Sequence, residues 1–117
     1  MFLQLAHTKK PIYKDSRELV AECYRLTALF PKEEKFAMVS QIRRAALSVQ
    51  LNIAEGCSRR SEAERKRYFE IARGSVIEID AAIGIAFKLE FCNSESLKNL
   101  ESLVLSCYKQ LSGLIGK

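Results

Sequence analysis

The stretch that decides the fold reads FEIARGSVIEIDAAIGIA and spans residues 69–86. Its apolar side chains return after three or four residues, at Phe69, Ala72, Val76, Ile79, Ile83 and Ala86. This spacing places them on one face of an α-helix, because such a helix turns once every 3.6 residues. We predict that the helix follows the capping box of Ser61 and Glu64 and runs to about Phe91.

The preceding segment indicates two helices separated by a proline. The first opens at Asp15 or Ser16, where Asp15 has capping-box spacing to a glutamate. It ends at Phe30, because the residue before a proline is pushed out of the helical region. Pro31 begins the second helix, where the missing backbone donor costs nothing. Gly56 is predicted just past the end of that helix, where a positive φ costs glycine little.

The last segment begins at Asn93 or Ser94 and repeats the spacing of the third helix. Its apolar positions are Leu97, Leu100, Val104, Cys107, Leu111 and Leu114. Connections of about two to five residues force consecutive helices to lie side by side in opposite directions. We therefore predict an all-α fold, an antiparallel up-down-up-down four-helix bundle over residues 14–117, with an irregular N-terminal arm over residues 1–13.

Composition limits the function classes. The 117 residues suit one domain, and a net charge of +5 favours anionic partners such as nucleic acid, although many basic proteins bind none. The four cysteines form no CxxC pair, and the sequence contains a single histidine as a further possible metal ligand. We therefore expect no metal and no cofactor. No apolar run is long enough to span a membrane. Free thiols in a reducing cytoplasm are the simplest expectation.

A cluster of basic residues surrounds the start of the third helix. Its members are Arg59, Arg60, Arg65, Lys66, Arg67 and Arg73. Arginine forks bind phosphate oxygens in a bidentate way, so the cluster is a candidate nucleic-acid interface. The structural alternative is a solvated charged face with ion pairs between residues four apart.

The third helix carries a second set of small and apolar residues, on the side opposite its main stripe. The set is Gly74, Ile77, Ala81, Gly84 and Ile85. Two interior glycines cost a helix about 1 kcal/mol each relative to alanine. Close approach of another helix would offset this cost. That helix belongs either to the same chain or to a second subunit, and the second case makes the protein a homo-oligomer.

Polar residues within the predicted helices suggest a structural network. We assign to it Arg43, Arg44, Asn52, Glu55, Ser75 and Glu78. The adjacent Arg43 and Arg44 point about 100° apart, so one of them is expected to turn inward. A buried arginine needs an acidic partner, and Glu55 or Glu78 is expected to supply it. A binding site at these residues is the alternative.

The segment SQIRRAALSVQLNIAEG, residues 40–56, is followed by RRS at residues 59–61. Together they resemble the hallmark of the 23S rRNA intervening-sequence proteins, a family also called four-helix bundle proteins. The resemblance covers about residues 14–115. It departs at Gln50, where the family usually has proline, so any kink in the second helix is expected to be weaker.

The resemblance implies a helical bundle that assembles into a ring, often a pentamer. Members are similar to the accessory variability protein of diversity-generating retroelements, a basic ring that binds nucleic acid and a reverse transcriptase. No catalytic residues are attributed to the family.

Our leading hypothesis is therefore a non-enzymatic, cytoplasmic homo-oligomer that binds RNA or DNA with low sequence specificity. The alternative is a protein-interaction scaffold that docks a nucleic-acid enzyme such as a reverse transcriptase. A hydrolase is the weakest hypothesis, because no nucleophile or metal ligand set accompanies the carboxylates.

Overall fold

Helices account for most of the residues that the structure describes. The computed structural model describes residue 3 and residues 5–116, apart from the side chains of residues 6 and 7. The α-helices of this part are Pro11–Thr27 (α1), Met38–Ser58 (α2), Glu62–Lys88 (α3) and Ser94–Ile115 (α4), with short 3-10 helices at Ala6–Lys9 and Lys32–Glu34. None of the described residues lies in a strand, which confirms the all-α class. The ends of the predicted arm and domain, residues 1, 2, 4 and 117, lie outside the described residues.

The first helix begins earlier than its capping signal predicts. α1 starts at Pro11, whose ring presets the helical φ, and the 3-10 helix Ala6–Lys9 precedes it. Asp15 is therefore not a cap but a residue within α1. Its Oδ2 accepts hydrogen bonds from Ser106 Oγ at 3.0 Å and Gln110 Nε2 at 2.7 Å, both from α4. The predicted helix start is wrong because the carboxylate binds a neighbouring helix.

The connection between α1 and α2 is longer than predicted. Pro31 does not begin α2; it precedes the 3-10 helix Lys32–Glu34, and α2 starts only at Met38. Ala37 has φ −119° and ψ −100°, which separates the 3-10 turn from α2. Residues 28–37 thus form a connection of their own rather than a sharp turn between two helices.

Gly56 lies inside α2 and not beyond its end, and no described glycine has a positive φ. A Cβ atom at Gly56 would stand 2.8 Å from Cε1 of Phe69, which is too close for any real contact. The glycine is needed because α2 and α3 approach closely at this point. The predicted role as a helix terminator is therefore wrong.

Both later helices begin where their caps predict. Ser61 Oγ accepts a hydrogen bond from the amide of Glu64 at 3.0 Å. Asn93 and Ser96 form a reciprocal capping box. At its other end α3 stops at Lys88, three residues before Phe91.

The end of α3 contains an unusual backbone position. Glu90 has φ 63°, in the left-handed region that favours glycine. The amide of Phe91 donates to the carbonyl of Ala86 at 2.9 Å, and the amide of Glu90 donates to the carbonyl of Phe87 at 3.0 Å. These two bonds are the Schellman pattern, in which glycine usually occupies the position that Glu90 holds here.

The apolar stripes of the four helices meet in one core. Leu19, Ile42, Ile79 and Leu100, one from each helix, are almost completely buried. Cys23 and Cys107 are core residues as well, and burial raises the pKa of each thiol to about 12. Within the described residues, no helix is both long enough and apolar enough to cross a membrane.

Contacts between neighbouring helices run in opposite sequence directions. Between α1 and α2, Ser16 donates to Gln50 at 2.6 Å while Arg43 donates to Thr27 at 2.8 Å. Between α2 and α3, Ser75 donates to Ser48 at 2.8 Å, and Gly56 lies against Phe69. These pairs are consistent with an antiparallel arrangement.

Candidate nucleic-acid interface

Most of the predicted basic cluster lies around the turn between α2 and α3. The residues in question are Arg59, Arg60, Arg65, Lys66 and Arg67. The cap at Ser61 starts α3 directly after Arg59 and Arg60. The cations of this connection and those of the N-terminal part of α3 therefore lie close together. Arg60 and Arg67 are exposed, and the others are half-buried.

Two of these arginines are held by neighbouring groups. Nη2 of Arg59 lies 2.5 Å from Oε2 of Glu55 and 3.2 Å from the hydroxyl of Tyr68, and the guanidinium is 5.0 Å from the centroid of the tyrosine ring. Interaction with Tyr68, and secondarily with Glu55, raises the pKa of Arg59. Arg65 donates to the carbonyl of Arg59 at 3.0 Å. Arginines already held in place lose less conformational entropy when a phosphate binds.

Ion pairs compensate part of the cluster, as the structural alternative predicts. Glu55 pairs with Arg59, and Glu62 lies 3.9 Å from Lys66, in both cases four residues apart. Among the described residues, no acidic side chain lies within ion-pair distance of Arg60 or Arg67. The cluster therefore keeps uncompensated cations at its exposed edge.

Arg73 does not join this cluster. Its Nη1 donates to Ser112 Oγ at 3.2 Å, and its guanidinium lies 5.9 Å from the ring centroid of Tyr108. Both partners belong to α4, so Arg73 faces the junction of α3 and α4. The candidate interface loses this residue.

A recess of about 300 Å³ opens beside the cluster and adds residues that the sequence did not assign to it. Its lining residues are Lys10, Cys57, Glu62, Arg65, Lys66, Phe69 and Leu114. The start of α1, the end of α2, the start of α3 and the end of α4 thus meet here. Lys10 was missed because it lies in the predicted arm; the Lys9-Lys10 pair before Pro11 was the available signal.

The net charge of the chain is concentrated at this end. We call residues 9–18, 55–67 and 109–116 the basic end; they carry ten basic and five acidic residues. That excess equals the net charge of +5 for the whole chain. The opposite end, residues 28–38 and 86–98, carries four basic and four acidic residues. The α1–α2 and α3–α4 connections meet at this end, where the ring centroids of Phe30 and Phe91 lie 5.6 Å apart.

The predicted polar network separates into smaller sets. Ser75 binds Ser48, whose hydroxyl and carbonyl oxygens accept hydrogen bonds from Asn52 at 3.1 and 2.8 Å. Glu55 is engaged by Arg59 at the basic end. These contacts stabilise the junction of α2 and α3, but they do not form one network.

Arg43 turns inward, yet without the predicted acidic partner. It binds the hydroxyl of Thr27 and the carbonyl of Tyr24 at 3.2 Å, and its guanidinium lies 4.5 Å from the tyrosine ring centroid. Arg44 and Glu78 are both exposed and make no contact with this group within the described part of the chain. Arg43 is thus satisfied by α1, and the expectation of a pair with Glu55 or Glu78 is wrong.

The second set on α3 is exposed in the single chain. Gly74, Ala81 and Gly84 face solvent, and a Cβ atom at either glycine would meet nothing within 4 Å. The set therefore does not serve helix packing within the chain. Ile77 and Gly84 line a groove of about 690 Å³ between α3 and α4, whereas Ile85 lies outside it and is exposed.

The remaining thiols and carboxylates do not form a reactive centre. Burial raises the pKa of Cys57, while nearby Lys10 and Arg65 partly oppose this effect. Burial also raises the pKa of Cys92. In the described part of the chain, no three His, Cys, Asp or Glu side chains are grouped so that they could hold a metal ion.

The 23S rRNA-intervening sequence proteins match the chain over residues 8–113. The chain belongs to this family. This membership confirms the resemblance carried by residues 40–56 and 59–61. Comparison with curated proteins gives no match.

A solved structure supports the fold of this member of the 23S rRNA-intervening sequence family. It is a crystal structure, from Bacteroides thetaiotaomicron, of a protein of unknown function from the S23 ribosomal protein family. The two chains are 20% identical, with a TM-score of 0.81 over 91% of this chain and 99% of the other. At this identity, the likeness concerns the fold alone.

Proposed function

We propose that this protein is a non-enzymatic nucleic-acid-binding protein that holds RNA or DNA at its basic end with low sequence specificity. The observation that supports this most strongly is the concentration of the whole excess charge at one end of the fold. Contacts with phosphates are strong but carry no direct sequence information. The unpaired Arg60 and Arg67 would bind first, beside the fixed Arg59 and Arg65.

The salt dependence of binding tests this proposal. Filter-binding titrations with structured RNA and with duplex DNA are run over a series of salt concentrations. Each neutralised phosphate contributes about −0.7 to −0.9 to the log–log slope, so three to five contacts predict a slope of roughly −2 to −4.5. Absence of salt-sensitive affinity for either polymer, even at the lowest ionic strength, would contradict the proposal.

We further propose that the chain folds as an antiparallel up-down-up-down bundle and associates with copies of itself. Two different exposed surfaces support self-association. One is the groove between α3 and α4, lined by Ile77, Phe87 and Leu105 among others. The other is the outer strip of α2, formed by Arg44, Leu47 and Leu51.

These two surfaces carry opposite charges beside exposed apolar side chains. The groove holds the carboxylates of Asp80 and Glu101 within an apolar lining, and the strip places Arg44 beside two leucines. Two unlike surfaces that fit each other produce head-to-tail contacts, which close into a ring when the rotation permits. We propose a ring of five copies.

Light scattering coupled to size-exclusion chromatography measures the assembly. The wild-type chain should elute at a multiple of 13.3 kDa, and Leu51→Asp should elute as the monomer. Leu29→Asp changes another exposed leucine, away from both surfaces, and serves as the control. A monomeric wild-type chain at micromolar concentration would contradict self-association.

The groove also favours a second candidate, a scaffold that docks a nucleic-acid enzyme such as a reverse transcriptase. Its apolar lining and two carboxylates suit the apolar face of a basic helix. A pull-down after nuclease treatment that recovers one stoichiometric protein, lost on Leu105→Asp, would favour this candidate. In both proposals the protein works in the reducing cytoplasm, in keeping with its four free cysteines.

A further inference from the structure

The recess at the basic end differs from the surrounding surface in shape. Arg60 and Arg67 stand on an open surface, whereas the recess is a concavity of about 300 Å³. Buried Phe69 and half-buried Cys57 and Leu114 are its apolar part. A group that enters it is therefore surrounded on several sides, which a flat patch cannot achieve.

The polar part of the recess is strongly positive. Lys10, Arg65 and Lys66 face it together with a single carboxylate, Glu62, which gives a net charge of +2. Glu62 lies at 3.9 Å from Lys66, a weak pairing, and none of the described acidic side chains pairs with Lys10. One guanidinium nitrogen of Arg65 is used on the carbonyl of Arg59, so the side chain is held while its other donors stay available.

A phosphate monoester matches this charge. At neutral pH it carries a charge close to −2 and three acceptor oxygens, whereas a phosphodiester inside a strand carries −1. The volume exceeds that of a lone phosphate and leaves room for part of the attached nucleoside against Phe69 and Leu114. A group flanked by chain on both sides would fit such a pocket less well than a group at a chain end.

We infer that the recess formed by Lys10, Cys57, Arg65 and Lys66 binds the terminal phosphate of a nucleic-acid strand. The inference rests on the proposed function and deepens it. The exposed arginines hold the strand in a salt-dependent way, and the recess selects strands whose end is phosphorylated. The N-terminal Lys10 thereby becomes part of the interface.

The test compares three single-stranded oligonucleotides of one sequence, with a 5′-phosphate, a 3′-phosphate or hydroxyls at both ends. Fluorescence anisotropy with the full chain should give at least about tenfold tighter binding for one of the phosphorylated strands, as expected for one further charge-assisted contact. The double variant Lys10→Gln/Lys66→Gln should reduce this preference to less than about twofold. Lys14→Gln, an exposed lysine of α1 outside the recess, should keep it.

The outcomes separate the inference from the proposed function. Equal affinity for all three strands overturns the inference and leaves general nucleic-acid binding intact. If none of the strands binds while structured RNA or duplex DNA does, only the inference is overturned; if no nucleic acid of any kind binds, both are. Adenosine monophosphate provides a further arm: if it binds as tightly as the preferred strand, the ligand is a free monoester and the strand-end assignment is wrong. If the double variant keeps the preference for the phosphorylated strand, the phosphate does not bind in the recess.

Discussion

The two ends of the four-helix fold face the same structural task but differ in chemistry. Each end has to close helix termini and seal the core. The opposite end does so with the Phe30–Phe91 ring contact and balanced charges, while Leu29 and Phe36 remain 74% and 88% exposed. The basic end carries the entire excess charge and a polar recess. Closing the fold does not require that charge, and this supports the proposal of an anionic partner.

Reversing charges at the basic end should have the largest effect. Arg60→Glu, Lys66→Glu and Arg67→Glu combined should weaken RNA binding about 100-fold and flatten the salt slope by roughly 2, because each lost phosphate contact removes close to one unit. Arg60 and Arg67 are exposed and Lys66 is half-buried at the rim of the recess, so none belongs to the core and the circular dichroism spectrum should not change.

The matched control reverses three lysines of the opposite end. Lys32→Glu, Lys35→Glu and Lys98→Glu remove the same total charge and should weaken binding less than about threefold. Comparable losses in the two triple variants would mean that only the net charge matters, and the difference between the ends would lose its functional meaning.

The surroundings of the glycines in α2 and α3 differ as well, and substitutions at Gly56 of α2 and Gly74 of α3 measure this difference. Gly56→Ala should lower the free energy of unfolding by about 1–3 kcal/mol, since its Cβ would overlap Phe69 at the basic end. Gly74→Ala meets open space and should instead raise it by up to about 1 kcal/mol. Urea unfolding of both variants measures the sign, and equal signs would contradict the close approach of α2 and α3.

The reactivity of the native cysteine thiols can show at which end of the fold RNA binds. Cys57 lines the recess and Cys92 lies at the opposite end, both half-buried, while Cys23 and Cys107 are buried. Iodoacetamide should label the first two only, because thiol reactivity follows exposure and thiolate character. Saturating RNA should slow the labelling of Cys57 about fivefold or more and leave Cys92 unchanged. Mass spectrometry of the labelled peptides measures both rates. If RNA slows the labelling of Cys57 and Cys92 equally, the ligand does not bind specifically at the basic end.

The smallest effect concerns the left-handed residue of the opposite end. Glu90→Gly should raise the free energy of unfolding by about 1 kcal/mol, because glycine adopts φ 63° without steric cost. Glu78→Gly, in the middle of α3, should lower it by a similar amount. Thermal unfolding of this pair shows whether position or residue type decides the effect.

The helices could be predicted wherever the signal is local. The capping residues Ser61 and Asn93 set the starts of α3 and α4 through bonds to amides three residues away, so sequence spacing suffices. The predicted starts of α1 and α2 were wrong, because neither a capping pattern nor a proline at the first helical position reveals a competing long-range contact. Asp15 shows this most clearly, since its partners lie in α4, more than 90 residues away.

Glycines were harder to interpret for the same reason. The requirement at Gly56 comes from Phe69 across the α2–α3 contact, not from its own φ. The left-handed position is held by a glutamate that no sequence rule would place there. Gln50, where the family usually has proline, accepts a hydrogen bond from buried Ser16, a contact that a proline ring could not make.

The candidate site was predicted in part. Sequence clustering located the arginines of the α2–α3 turn, because neighbours in sequence stay neighbours there. It wrongly included Arg73, whose direction depends on the helical rotation after two further turns. It missed Lys10, which lines the same recess as Lys66 only because the start of α1 and the start of α3 lie at the same end of the fold.

Lysine footprinting shows directly whether nucleic acid binds at the basic end. The chain is reductively methylated with and without saturating RNA, and each lysine is quantified by mass spectrometry. We expect protection of Lys10 and Lys66 at the basic end, with Lys32 and Lys35 at the opposite end modified at the same rates as without RNA. Equal protection at both ends, or protection of Lys32 and Lys35 alone, would contradict it.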